Sequence, residues 1–244
     1  MLETPEALKL KKSRIISTVL SPAVGLWLRS QVEQVEALQF KIVGGDRQIL
    51  TGHIPKITIQ ASSAIYQGLN LSQIQLEGTD IRVNLPQVLK GKPLRLLEPV
   101  PVVGQLLVTQ NNLQASLQAP LLANALTEFL YTLLETASRT DLANRLKDQQ
   151  ISWQQITIDA GNLTIFGTLS DADANTTPVV IRTSIKLVTP HELELNSLQI
   201  QMQPLFEPII LDRFHADLGS EVEIEELTLT LGQLICRGRL SVIP

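Results

Sequence analysis

Residues 69–76 read Leu69-Asn70-Leu71-Ser72-Gln73-Ile74-Gln75-Leu76, and the pattern of this stretch decides the fold class. Apolar and polar residues alternate up to Leu71, a polar pair follows, and the alternation resumes one residue out of phase. Alternation with period two is typical of a half-buried β-strand. A one-residue slip would turn every later side chain to the opposite face. We therefore predict a β-bulge or an equivalent break at Ser72-Gln73, which keeps the apolar residues on one side.

The same frame recurs at three other places, around the polar pairs Gln154-Gln155, Asn196-Ser197 and Glu225-Glu226. Its apolar members there are Ile151, Trp153, Ile156 and Ile158, then Leu193, Leu195, Leu198 and Ile200, then Val222, Ile224, Leu227 and Leu229. Bulges bend a strand and increase its twist. The repeats predict a strongly curved, bulged antiparallel sheet with an aliphatic trough; the alternative is that the frames arise by chance in an apolar-rich chain. Gly78, Gly161 and Gly232 follow three of the frames and predict hairpins.

Residues 110–135 predict a long amphipathic helix. Thr109 is a candidate N-cap, and Pro120 either opens a new turn or kinks the helix. Beyond Pro120, apolar pairs repeat every four residues and leave a polar back. Such a helix suits the concave face of a curved sheet. Periodicity leaves open whether helix and sheet touch everywhere or leave a gap for a ligand.

The N-terminal stretch Ile15–Leu28 carries no charge and follows a basic cluster, Lys9, Lys11, Lys12 and Arg14. As a helix, 14 residues would be about 21 Å long, shorter than the ~30 Å hydrocarbon core of a bilayer. We predict instead two helices, capped by Thr4 and Ser21, with helical spacing up to Val35. The basic cluster then either lies on an ordinary packed helix or contacts an anionic membrane surface. This leaves the localisation open between the cytoplasm and a membrane periphery, with secretion less favoured.

Composition supports one aliphatic α+β domain over residues 1–244, because 44% of the chain is hydrophobic and only 4% aromatic. We divide it into an N-terminal helical segment (1–36), a first β section (37–109), a helical section (110–147) and a second β section (148–244). The single cysteine excludes an internal disulfide. The net charge of −4 and the lack of a basic footprint argue against nucleic-acid binding.

No catalytic motif, phosphate loop or dinucleotide fingerprint occurs, so we expect a protein that is not an enzyme and needs no cofactor. The three histidines, at positions 53, 191 and 215, lack metal-ligand spacing. Glu221, Glu223, Glu225 and Glu226 alternate with apolar residues, which indicates the solvent face of a strand rather than a metal site. Gly44-Gly45-Asp46 predicts a hairpin turn.

The chain resembles the LmeA-like family of bacterial phospholipid-binding proteins. The resemblance is carried by Ile42-Val43-Gly44-Gly45, the stretch 69–76, Asp80-Ile81-Arg82-Val83 and Val108-Thr109-Gln110-Asn111-Asn112-Leu113. It covers about residues 15–135 and continues more loosely to the C-terminus. It implies a curved sheet wrapped around a long helix, similar to tubular lipid-binding folds, with no catalytic residues.

Together these observations predict non-catalytic binding of a phospholipid or other acyl-chain lipid in the trough between helix and sheet. The expected contacts come from the helix and from strand positions after the breaks: Leu122, Leu126, Phe129, Leu130, Leu133, Ile74, Leu76, Ile156 and Ile158. Lys9, Lys11, Lys12 and Arg14 are the expected membrane-surface residues. The alternative is a membrane-associated structural or protein-interaction module with a dry core.

Overall fold

A computed structural model describes residues 16–147, 149–171 and 175–244. The α+β class is confirmed, but the strands form two antiparallel sheets, where the sequence analysis predicted one. The reason is the run of helices after Thr109, which separates the strands before it from most of those after it. Only the last two strands return to pair with the first group.

The first sheet contains six strands in the order β1-β2-β3-β4-β11-β10. Their bounds are β1 Gln34–Val43, β2 His53–Tyr66, β3 Leu69–Arg82, β4 Val100–Thr109, β10 Val222–Thr230 and β11 Gln233–Val242. The second sheet contains five strands in sequence order. They are β5 Gln150–Asp159, β6 Asn162–Ser170, β7 Thr176–Thr189, β8 Glu192–Met202 and β9 Phe206–Asp217.

In the described ranges, six α-helices connect or cover the strands, and a π-helical turn, Ile16–Leu20, precedes the first of them. They are α1 Ser21–Ser30, α2 Asp46–Leu50, α3 Leu85–Val88, α4 Gln110–Ser116, α5 Pro120–Thr136 and α6 Thr140–Leu146. Two helix-start predictions are confirmed. The Thr109 hydroxyl accepts a hydrogen bond from the Asn112 N–H at 3.2 Å, and Pro120 is the first residue of α5. The single long helix predicted over residues 110–135 is wrong, because residues 117–119 are not helical and separate α4 from α5.

Three of the four predicted bulges are confirmed by shifts of strand register. Gln154 is the extra residue between β5 and β6, Glu225 that between β10 and β11, and β8 has an extra residue at Ser197–Leu198 opposite β7. At Ser72-Gln73 a bulge is wrong, because β3 pairs with β2 in constant register through this point. The irregularity lies instead on the neighbouring strand, where Ser63 has a left-handed backbone with φ 49°.

Several local predictions near the N-terminus are wrong. Ser21 is not the cap: it is the first residue of α1, the π-helical turn leads straight into this helix, and Leu20 occupies the N-cap position. Val35 lies in β1 rather than in a helix. Gly44-Gly45 leads into α2 rather than forming a tight hairpin turn, and Gly78 lies inside β3. The predicted Thr4 cap lies outside the described residues, whereas the hairpin turns at Gly161 and Gly232 are confirmed.

Each sheet has its own hydrophobic core. The α1 core packs α1 against the first sheet and consists of Leu20, Val24, Ile49, Ile54, Ile57, Ile81, Val83, Leu85, Val88, Leu94, Val100 and Val102. The α5 core packs α5 and α6 against the second sheet. It consists of Leu117, Leu130, Leu133, Leu134, Leu142, Ala143, Leu146, Trp153, Ile156, Ile165, Leu169, Val179, Ile181, Leu195, Leu198, Ile200, Met202 and Ile209. Buried Trp153 ties helix to strand, because its Nε1 donates to the Thr127 Oγ1 at 3.0 Å.

The outer face of the first sheet is charged. On β10, Glu223, Glu225 and Glu226 form ion pairs with Arg237 and Arg239 of β11 at 2.9–3.9 Å. Their side chains are at least one-third exposed, so each pair contributes little to stability. The prediction that these glutamates occupy the solvent face of a strand is confirmed for Glu223, Glu225 and Glu226, whereas Glu221 lies in the turn just before β10.

Candidate functional site

An apolar row crosses all six strands of the first sheet, each member directly opposite the next. We call it the open row; its members are Leu38, Ala61, Ile74, Leu106, Cys236 and Leu227. All six side chains are half-buried, and none belongs to either hydrophobic core. The sheet therefore presents a continuous apolar band that belongs to neither of the two cores.

The open row lies on the inner side of the sheet. Leu38, Ala61 and Ile74 are each two residues from a side chain that packs against the α1 core: Phe40, Ile59 and Leu76, respectively. Residues two apart in a strand share a face. Six strands spaced about 4.8 Å apart make the row about 24 Å long. The row is thus a strip beside the α1 core rather than part of the charged outer face.

Cys236, the only cysteine of the chain, lies within this row. Burial raises the pKa of its thiol above the ordinary value for cysteine. Because the thiolate is the reactive form, this thiol is less reactive at a given pH than an exposed one. Because Cys236 lies in the row, the rate at which its thiol is labelled can report whether a ligand covers the row.

The apolar stripe of α5 divides into two parts. Leu130 and Leu133 have no exposed surface and belong to the α5 core. Leu122, Leu126 and Phe129 pack against that core but stay partly exposed. The Phe129 ring also meets Phe214 of β9 edge to face, with centroids 5.8 Å apart. The apolar stripe is therefore partly exposed in the N-terminal half of α5.

The residues predicted to contact lipid lie in three places. Those from α5 and Ile156 of β5 share the α5 core, whereas Ile74 and Leu76 lie on the other sheet. Ile158 is fully buried and lies at the junction of the sheets, where its carbonyl accepts from the Gly232 N–H at 2.8 Å. The structure does not place the nine in a single cluster.

The predicted membrane-surface residues, Lys9, Lys11, Lys12 and Arg14, lie outside the described residues.

Helix α4 joins the two sheets through a ladder of glutamines. Gln110 and Gln114 lie one turn apart on α4 and share one face, and Gln118 lies two residues beyond the end of this helix. The Gln110 and Gln114 Oε1 atoms accept from the backbone N–H groups of Ile158 and Ile156 at 2.9 and 3.1 Å. The Gln114 and Gln118 Nε2 atoms donate to the carbonyls of Gln154 and Trp153. These side chains satisfy the free edge of β5, which no strand covers in the described part of the chain.

The opposite face of α4 binds the edge of β3 where β4 does not pair with it. The Ser116 Oγ accepts from the Asn70 N–H at 2.8 Å. The Ser72 hydroxyl and the Thr109 hydroxyl both donate to the Asn112 Oδ1. Sequence analysis missed this bridging role. The available signal was the glutamine repeat, combined with serine and asparagine on the other side of the helix.

Neither a membrane span nor a metal centre is found in the described ranges. No helix there is both long and apolar enough to cross a bilayer. Likewise, no group of three or more histidine, cysteine or acidic side chains among these residues is arranged to hold a metal ion. In the part of the chain that the structure describes, the open row is the apolar feature that belongs to neither core.

Comparison with known proteins gives one match. A family model described as LmeA-like phospholipid-binding matches residues 11–239, nearly the whole chain. No curated protein and no solved structure matches it.

Proposed function

The chain belongs to the LmeA-like phospholipid-binding family, and from this premise we propose that it binds the acyl chains of a phospholipid or related lipid on the open row, without catalysis. The supporting observation is the row itself, six aligned apolar side chains that are half-buried and lie outside both cores. An acyl chain needs no directional partner and gains about 0.8 kcal/mol for each buried methylene. One leaflet of a bilayer accounts for about half of the ~30 Å hydrocarbon core, so a whole acyl chain fits on the row.

In this proposal Ile74 and Leu76 contact the chain from the sheet. Leu122, Leu126 and Phe129 contact it from the partly exposed half of α5. Leu130, Leu133, Ile156 and Ile158 are buried among protein atoms already. We assign them the role of supporting the helix and strand that carry the contacting residues.

Cys236 allows a test on the unaltered protein. Delipidated protein is incubated with dioleoyl-phosphatidylcholine in detergent-free form, and the rate of thiol labelling is compared with and without lipid. We expect bound lipid to slow labelling at least about fivefold, because it covers the thiol and excludes water. Native mass spectrometry of the same sample should show the lipid mass. Unchanged labelling and no bound lipid would contradict the proposal and favour the dry structural or protein-interaction module.

A matched pair of variants on β3 locates the site. Ile74→Glu places a charge in the open row, whereas Gln75→Glu places the same charge on the exposed outer side of the next position. Burying a carboxylate against an acyl chain is costly. We expect Ile74→Glu to lose lipid binding and lipid protection of Cys236, and Gln75→Glu to keep both. Equal behaviour of the two variants would exclude the open row as the site.

We further propose that Lys9, Lys11, Lys12 and Arg14 bring the protein to an anionic membrane surface. Each basic residue near such a surface contributes on the order of 1 kcal/mol. Reversing the charge of the three lysines should weaken flotation with anionic liposomes. Binding that survives both high salt and alkaline carbonate would instead indicate an integral anchor.

A further inference from the structure

One end of the first sheet exposes leucines beside basic residues. It is formed by α2 and by residues 82–98, which include α3 and lead from the end of β3 towards β4; we call it the α3 end. Three of its leucines are more than half exposed, Leu50 at 52%, Leu89 at 54% and Leu97 at 58%. Each directly follows a residue that packs in the α1 core; these residues are Ile49, Val88 and Leu96. The core therefore fixes the backbone that carries each exposed leucine.

Hydrogen bonds hold the α3 end in one arrangement. The Val83 N–H donates to the Gly52 carbonyl at 2.8 Å and so joins the end of β3 to the chain that follows α2. Buried Asn84 links the two limbs of the segment 82–98. Its Nδ2 donates to the Pro93 carbonyl at 3.0 Å, and its Oδ1 accepts from the Arg95 N–H at 2.8 Å. A surface that is already ordered loses little conformational freedom when it binds a partner.

The charge of the α3 end is opposite to that of the whole chain. Residues 82–98 carry four basic side chains and one acidic side chain, a net charge of +3, whereas the chain carries −4. Helix α2 adds one base and one acid. None of the exposed bases forms an ion pair within the ranges that the structure describes; they are Arg47, Lys90, Lys92 and Arg95. Their charge is therefore available to an external partner.

Exposed leucines beside unpaired bases fit an anionic bilayer surface. The bases are attracted to anionic head groups, and apolar side chains next to them enter the boundary between head groups and acyl chains. Single-stranded nucleic acid would need aromatic side chains for stacking, and neither α2 nor residues 82–98 contain one. The chain belongs to a phospholipid-binding family, and phospholipids reside in bilayers. A bilayer is therefore the partner that uses both features of this end.

We propose that the α3 end docks the protein on an anionic membrane surface, with Leu50, Leu89 and Leu97 entering the head-group region. This goes beyond the proposed function, because docking here uses neither the open row nor residues 9–14. Ala61 of the open row lies about 26 Å along β2 from His53, where this strand begins next to the α3 end. The two sites are therefore separate, and each can be removed without the other.

The contribution of charge is measured as the affinity for vesicles of dioleoyl-phosphatidylglycerol and dioleoyl-phosphatidylcholine in equal parts. The double variant Lys90→Glu, Lys92→Glu reverses two charges of the α3 end. The control is Arg145→Glu, Lys147→Glu, with the same change of net charge on exposed side chains at the end of α6. We expect the first variant to bind at least about tenfold more weakly than the control, because each basic residue near an anionic surface contributes about fivefold in affinity. Equal affinities, or an unaltered protein that does not bind these vesicles, would overturn the proposal.

The entry of the leucines is measured with an added tryptophan. Leu89→Trp places it in the α3 end, and Leu231→Trp places it at another exposed leucine, in the turn between β10 and β11. Both variants keep Trp27 and Trp153 as a common background. Phosphatidylcholine brominated on its acyl chains, added to the same anionic vesicles, should quench the added fluorescence of Leu89→Trp and not that of Leu231→Trp. Quenching of both variants, or of neither, would show that the α3 end does not enter the membrane.

A last comparison separates docking from lipid binding on the open row. The double variant Leu89→Ser, Leu97→Ser should bind the anionic vesicles at least about tenfold more weakly, yet water-soluble dihexanoyl-phosphatidylcholine should still protect its Cys236 thiol. Ile74→Glu should lose this protection and keep vesicle binding. If the leucine variant keeps full vesicle binding, the α3 end is not the docking surface. If Ile74→Glu loses vesicle binding, docking occurs through the open row instead.

Discussion

Two aligned apolar rows, one in each sheet, differ in how deeply their side chains are buried. In the second sheet, Ile156, Ile165, Ile181, Ile200 and Ile209 stand directly opposite one another across five strands. All five belong to the α5 core and are at most 8% exposed; we call them the covered row. The open row of the first sheet is equally aligned and apolar, yet every member is half-buried.

The comparison shows what a strand pattern can and cannot specify. Alternation sets which side chains share the inner face of a sheet, and it does so equally well in both rows. Coverage depends on where a helix docks after the chain has turned. Helix α5 packs against the second sheet, and α1 covers only the end of the first sheet beyond the open row. The uncovered band is therefore a tertiary property.

The largest expected effect is a difference in the free energy of unfolding when one isoleucine of each row is replaced by alanine. Ile181→Ala removes a fully buried side chain from the covered row and should lower the free energy of unfolding by about 2–5 kcal/mol, through lost burial and a residual cavity. Ile74→Ala in the open row should cost less than about 1.5 kcal/mol, because this side chain is only half-buried and water can occupy the space in the delipidated protein. Urea titration of delipidated protein measures both. Equal losses would mean that the open row has a protein partner.

The next prediction concerns the helix that joins the two sheets. Gln114→Ala removes the acceptor of the Ile156 N–H and the donor to the Gln154 carbonyl. We expect a loss of about 1–3 kcal/mol, since a backbone donor at the edge of β5 loses its partner. The exposed Asn111 gives the control Asn111→Ala, which should change stability by less than about 0.5 kcal/mol. A loss no larger than that of the control would show that water replaces the glutamine.

Much of this architecture could be predicted from the sequence, and the failures have physical causes. The polar pairs located three register shifts, and Thr109 and Pro120 located two helix starts, because these signals are local. Ser72-Gln73 failed because the irregularity lies on the partner strand at Ser63, which a single-strand pattern cannot reveal. The glutamine ladder was missed because hydrogen bonds from a helix to a distant strand edge leave only a four-residue repeat.

A smaller effect distinguishes a lipid-facing helix surface from a dry one. Leu126→Trp fills space beside the partly exposed half of α5 and should abolish lipid binding with little change in the thermal midpoint. Leu133→Trp, at a fully buried position about two turns further along the same helix, should overpack the α5 core and cost about 1–3 kcal/mol. Native mass spectrometry and thermal unfolding are measured on both variants. A destabilised Leu126→Trp protein whose parent carries no lipid would place Leu126 in a dry core.

The smallest effect is a shift in the titration of Cys236. Burial raises the pKa of this thiol in the folded protein, so the folded state favours the neutral form. The resulting stability is present below the unfolded-state pKa and is lost as the pH rises through the folded-state pKa. Labelling of the native protein should therefore reach half its maximal rate at a higher pH than labelling in urea, and bound lipid should move that midpoint higher still by excluding water from the open row. Cys236→Ser is the control for stability. As the pH rises, its free energy of unfolding should fall less than that of the unaltered protein, because the variant has no thiol to ionise. A native midpoint equal to that in urea would show the thiol to be solvated, and would mean that the open row is wetter than its half-buried side chains indicate.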